Sequence, residues 1–171
     1  MKTIIRSNIN ISKLDQFFFA GRSTLTFRNN EKGTHITVRV KQLKDRKDRK
    51  TPLPIFYVFV SLVGDSDYGF RFGGTIFKDS MRLKLGRDVE SGGQLHKVME
   101  FLMGALANPD SLKKRVSLLH EGKCCRCSRQ LTHPESINTG FGPECLDIVL
   151  SQAKITPSDL FEKLGGESSP L

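Results

Sequence analysis

The sequence predicts an α+β protein: a small antiparallel β-sheet packed by a helix, followed by a cysteine-bearing C-terminal module. Three observations carry this. Apolar residues alternate with a period of two at 24–27 and 35–41 and run almost without a break at 55–63, the period changes to that of a helix beyond residue 90, and all four cysteines fall between 124 and 145. At 171 residues and 37% hydrophobic, the chain can bury one ordinary core plus a small satellite. The expected division is a β-rich domain with its packing helix over residues 1–110, a module over 111–164 and a disordered tail over 165–171.

In chain order, Thr24–Phe27 and His35–Lys41 both alternate, and Asn29-Asn30-Glu31-Lys32-Gly33 between them is a turn signal. They form a hairpin with Ile36, Val38 and Val40 toward the core and Thr37, Arg39 and Lys41 on the other face. Ile55–Val63 is almost continuously apolar and so central, and Tyr68–Phe77 follows the Gly64-Asp65-Ser66-Asp67 turn. Four or five antiparallel strands fit. Gly73-Gly74 marks a strand irregularity rather than a phosphate loop. Leu95, Val98, Met99, Leu102, Met103 and Leu106 make the apolar stripe of a helix that ends at Asn108-Pro109. Ser111–Leu119 is expected to be a short helix, Pro143–Gln152 a longer one, and Thr156-Pro157-Ser158-Asp159 the start of a last turn.

The chemistry concentrates in the module. Cys124 and Cys127 form a C-x2-C turn that can aim two sulfurs at one point, and Cys145 follows in Gly-Phe-Gly-Pro-Glu-Cys. Gly142 suits the N-cap and Pro143 the first helical position, so Cys145 falls in the first turn, where the helix dipole favours a thiolate. Such a layout binds tetrahedral Zn²⁺ at about 2.0–2.3 Å in a treble-clef-like arrangement. The predicted ligands are His120, Cys124, Cys127 and Cys145. His133 is the second choice for the fourth position, with Cys125 and Asp147 behind it. Adjacent cysteines chelate poorly together, so Cys125 is expected to pack as a small apolar residue.

From Cys124 to Cys145 the sequence Cys-x-Arg-Cys-Ser-Arg-x-Leu-Thr-x-Pro-Glu-Ser-x-x-x-Gly-x-Gly-Pro-Glu-Cys resembles a small zinc-binding module of phage-encoded and some bacterial proteins of unknown function. In that pattern a histidine a few residues ahead of the knuckle is frequent, which supports His120, and glycine is usual where this chain has Ser128. The β-rich segment around Phe59–Gly64, Tyr68 and Gly73-Gly74-Thr75-Ile76 is similar, more loosely, to the region preceding the module in such phage proteins. The resemblance implies a phage-encoded protein and carries no known activity.

The charge is lopsided, with 27 Lys and Arg against 18 Asp and Glu, a net +9 that favours anionic partners. Lys44, Arg46, Lys47, Arg49 and Lys50 sit in a polar loop, and Lys113, Lys114, Arg115, Arg126 and Arg129 flank the cysteines. These are the expected nucleic-acid-binding residues, for DNA or RNA. Against this stands the reading that a lysine-rich loop serves solubility, with Asp45 and Asp48 partly cancelling it. Phe56, Tyr57, Phe59, Tyr68, Phe70 and Phe72 raise the option of exposed rings for bases, but a chain with 12 Phe and no Trp is expected to place these rings, like Phe17-Phe18-Phe19, in its core. His35 and His96 are read as ordinary surface or satisfied positions.

No phosphate-binding glycine loop, catalytic triad ordering or nucleotide fingerprint is present, and a site of three cysteines and one histidine is closed. A non-enzymatic binding protein without a small-molecule substrate is therefore expected, the alternative being a regulator that binds a host protein such as a polymerase or a defence nuclease. If only three protein ligands existed, Glu135 or Glu144 could act as a base beside a metal-bound water. No secretory signal and no apolar run of about 20 residues is seen, so the expectation is a cytoplasmic protein, in the host cell if phage-encoded, with no membrane partner.

Overall fold

The computed structural model describes residues 9–62 and 69–160. The Gly64–Asp67 turn, Tyr68 and the 165–171 tail lie outside the described residues. Six strands form one antiparallel sheet: β1 (Arg22–Asn29), β2 (His35–Lys44), β3 (Pro52–Ser61), β4 (Phe70–Phe77), β5 (Arg82–Leu85) and β6 (Val116–His120), in the order β5-β4-β3-β2-β1-β6. The β1–β2 turn is closed by Asn29, whose Oδ1 accepts the backbone N–H groups of Glu31 and Lys32, while Gly33 takes the positive φ of 71°. The near-continuous apolar run of β3 is central, as its composition predicts.

Cross-strand register separates two faces. Leu25, Val38, Val58 and Val60 and the bulged neighbour Ile76 point inward and are almost fully buried. On that face lie α1 (Leu14–Phe18) and α2 (Gln94–Ala107), the latter inserting Met99, Leu102, Ala105 and Leu106. The Gly73-Gly74 pair is the irregularity expected. The β3–β4 register slips between Val58 and Phe59, and a Cβ on Gly73 would stand 2.4 Å from Met99 Sδ, so the glycine is what lets α2 approach the sheet. The Phe17-Phe18-Phe19 run is buried as expected, mostly on α1. Phe17 stacks on Phe141 at 5.2 Å and Phe19 meets Phe56 edge-on at 4.8 Å, tying the sheet core to the C-terminal segment.

The short helix expected over Ser111–Leu119 is not found. Pro109–Leu112 makes one 3-10 turn, and the chain then extends as β6 against β1, pairing Asn29 with Val116 and Leu25 with His120. The five residues Val-Ser-Leu-Leu-His fit either period locally; the unpaired edge of β1 decides, because an open edge presents backbone groups that a strand satisfies. The sheet thus continues past residue 110, and a single hydrophobic cluster contains Leu25 and Val58 together with Cys124, Phe141 and Val149. The remaining helices are α3 (Pro134–Thr139), α4 (Pro143–Ala153) and α5 (Pro157–Leu160). Asp159 accepts from the backbone N–H of Thr156, capping α5 as its sequence suggests. Among the described residues no helix is long and apolar enough to cross a membrane.

Candidate metal centre and basic surfaces

β6 delivers the chain to the cysteines. After His120, Gly122 turns at φ 77° and a short hairpin forms: Leu131 N–H donates to Gly122 O, Cys124 N–H to Arg129 O, and Ser128 N–H back to Cys124 O. Ser128 holds φ 66°, a left-handed conformation that favours glycine, at the position where the resembling modules carry glycine. The knuckle is seated on β1 by Arg22 N–H to Cys125 O, and Gly21 leaves room for it, since a Cβ there would lie 2.5 Å from Arg126 O. From the other side, Gly142 caps α4, Pro143 starts it, and Cys145 falls in its first turn, as the sequence predicts.

The sulfurs of Cys124, Cys127 and Cys145 all lie within 4.8 Å of one another. Three thiolates about 2.3 Å from one tetrahedral ion would be about 3.8 Å apart, so the three can hold a single metal ion after little adjustment. Cys124 and Cys145 are buried and Cys127 is exposed. For Cys124, burial pushes the thiol up, but backbone N–H groups of Gly142, Cys127 and Arg126 and the Cys127 side chain outweigh it and hold the pKa below the usual thiol value. Cys145 departs from expectation. Burial raises it to about 11, with the charge of Cys124 adding to the rise and the Arg126 guanidinium, 3.6 Å from its sulfur, opposing it. One helix end cannot outweigh lost hydration and a neighbouring anion; a bound cation reverses that balance. Burial likewise raises the thiol of fully buried Cys125.

His120, expected as the fourth ligand, does not join the trio. Its ring is fully buried under Gly140, Nδ1 accepts the Gly122 N–H at 2.9 Å and Nε2 donates to Ile137 O, so both nitrogens are already engaged in bracing the module. Burial holds its pKa below 6.5, the Ile137 contact working against the shift. The exposed His133, at the N-cap of α3, lines a cleft of about 340 Å³ together with Cys124, Cys127, Glu144 and Cys145. Asp147 and Glu135 are exposed and are not in the cluster.

The basic residues divide between two ends of the sheet. Lys44, Arg46, Lys47, Arg49 and Lys50 lie exposed at the β2–β3 end. Asp45 and Asp48 are turned into the loop itself, accepting from Lys47 N–H and Lys50 N–H and from the Thr51 hydroxyl, so their charges remain but their carboxylates are held by the loop rather than by its cations. The hydrogen bond to Thr51, then that to Lys50, holds Asp48 below its usual carboxylate pKa. This end is shared with the knuckle, and Arg126, Gln42 and Pro52 line one cleft there. Lys113, Lys114 and Arg115 sit at the opposite end, where Asn30 N–H donates to Arg115 O. Along β1 the separation is about 23 Å at a rise of about 3.3 Å per residue. His35 is exposed, and His96 caps α2 by accepting Gly92 N–H, with Glu100 at 3.1 Å.

The aromatic set also divides. Phe56 is core, but Tyr57, Phe59, Phe70 and Phe72 stand on the face turned away from α1 and α2, Phe72 being 39% exposed. Cross-strand rows place Arg22, Lys41, Tyr57, Thr75 and Lys84 side by side, and Thr24, Arg39, Phe59 and Phe72 in the next row. The exposed-ring option raised by the sequence holds for Phe72, with Tyr57, Phe59 and Phe70 half-buried beside it, while the expected core packing holds for Phe56. No curated protein and no solved structure matches this chain. The cysteine segment, residues 119–149, is similar to a family of unknown function, DUF6011, whose match starts at the end of β6 and runs into α4.

Proposed function

We propose that this protein is a non-enzymatic, zinc-stabilised nucleic-acid-binding protein of the cytoplasm, where thiols stay reduced and available to a metal. Cys124, Cys127 and Cys145 would hold the ion, with His133 on the rim of the same cleft as the side chain nearest in chemistry to a fourth ligand. The donor set is soft and tetrahedral in reach, which suits zinc, and the metal's contribution is to fix the knuckle against α4. The observation that carries nucleic-acid binding is the β2–β3 end: five cations project beside the knuckle while both intervening aspartates are tied into the loop backbone.

Metal content measured by mass spectrometry on protein purified without chelator should give one zinc per chain. Titration against single- and double-stranded DNA and RNA at several salt concentrations should show affinity falling steeply with salt. Reversing charge at Lys44, Arg46, Lys47 and Arg49 should weaken binding to every sequence and flatten the salt slope. Zinc without any such binding would sink the nucleic-acid reading and turn attention to a host-protein partner.

A further inference from the structure

We infer that the face of the sheet turned away from α1 and α2 binds unpaired nucleotides, with the rings of Tyr57, Phe59 and Phe72 as stacking platforms and Lys41, Lys84 and Arg22 as phosphate contacts. This rests on the nucleic-acid reading above and deepens it, because it assigns the substrate class as single-stranded.

Tyr57 and Phe59 alternate on β3, and both meet Phe72 of β4 at 5.4 Å between ring centroids, at 83° and 56°. Three neighbouring rings therefore form one surface, with Phe72 the most open of them. Tyr57 and Phe59 are half-buried by this mutual packing, and the 39% exposed Phe72 leaves ring area that a partner can cover. The partner's chemistry follows from the company the rings keep. Lys41, Lys84 and Arg22 are exposed in the row containing Tyr57, and none of the described strand residues on this face is Asp or Glu, in a chain that has 18 of them. The exposed cations beside the rings complement a polyanion. Phe70 is already capped by the Arg39 guanidinium at 3.8 Å, which leaves the other three rings to receive bases. Stacking needs bases whose faces are free, so a duplex cannot use this surface and a single strand can. Lys41 also leads along β2 directly into the loop cations, so one strand can run from the loop across the face.

The test uses the full-length protein with a fluorescein-labelled 20-mer of dT, a 20-mer of rA and a 20-base-pair duplex. Phe72→Ala and Tyr57→Ala should each weaken single-strand binding by about fivefold or more, the loss expected for one base–ring stack, with duplex affinity and salt slope unchanged. Phe72→Leu, which keeps apolar volume and removes the ring, should reproduce the loss, and unchanged circular dichroism and metal content would show that the fold is intact. If ring variants bind single strands like the wild type while charge reversal of the loop abolishes binding, the face is not the site although the protein still binds nucleic acid. If the wild type binds none of the three probes, both readings fall together.

Discussion

At the scale of single residues, the three sulfurs that converge are distinguished from the fourth by direction rather than by burial. Cys125 is as buried as Cys124, but its thiol lies under Gly140 and away from the trio. Cys125→Ala should therefore keep the full metal content at a cost of about 1 kcal/mol in packing, whereas Cys124→Ser, Cys127→Ser and Cys145→Ser should each abolish stoichiometric binding, all read by mass spectrometry of the native protein. His120 makes a second prediction. Its folded pKa lies below the ordinary 6.5, so the stability it contributes is fully present above that value and is lost as pH falls through it toward the lowered folded pKa. Long-range ¹H–¹⁵N correlation at pH 7 should find His120 neutral with its proton on Nε2, and adding metal should move a resonance of His133 rather than of His120. The histidine spacing was legible in sequence; its direction was not, because its backbone partners come from a turn and from a helix 17 residues further on.

At the scale of elements, close approach sets the limits. Gly73 lies under Met99, and the bulge in β4 takes up the mismatch. Gly73→Ala should destabilise by about 1–3 kcal/mol, the range for overpacking a filled core, seen as a lower urea midpoint with an unchanged slope. The stripe from Leu95 to Leu106 was readable because 14 residues of helix repeat one face nearly four times. The stretch from Ser111 to Leu119 was not, since five strand residues hold too few repeats to separate a period of two from one of 3.6. The two faces of β3 were written in its alternation, yet which face α1 and α2 would cover depended on the bulge and on the aromatic contacts of α1.

For the whole molecule, the consequence of β6 is that the cysteine segment is joined to the sheet. The knuckle hangs on β1 through Cys125, Phe141 stacks on Phe17, and the core is continuous across both. Removing the metal should therefore be felt by the entire fold. Heating with and without a chelator, followed by circular dichroism and by intrinsic tyrosine fluorescence, should show one transition by both probes, with the midpoint lowered by more than about 10 °C, as a loss of roughly 4 kcal/mol implies for a chain of this size. Two separate transitions would mean that the cysteine segment melts independently of the sheet. The 23 Å or so between the two basic ends also follows from the sheet. A reading of charge along the chain joins Lys113–Arg115 to Arg126 because they are near in sequence, while β6 carries them to opposite ends.

The sequence alone determined β1 to β4 and the long helix, from alternation, from a continuous apolar run and from a helical stripe. It also determined which three cysteines converge, because a C-x2-C turn and a glycine-proline helix start are local structures whose geometry depends on few neighbours. Tertiary structure decided the rest. It turned a short ambiguous run into the edge strand of the sheet, aimed both ring nitrogens of His120 at backbone groups, parted the basic residues, and left Phe72 exposed on a ring-bearing face. Each of these depends on which chain segment fills a backbone edge or a packing face, and that is settled by contacts between residues far apart in sequence.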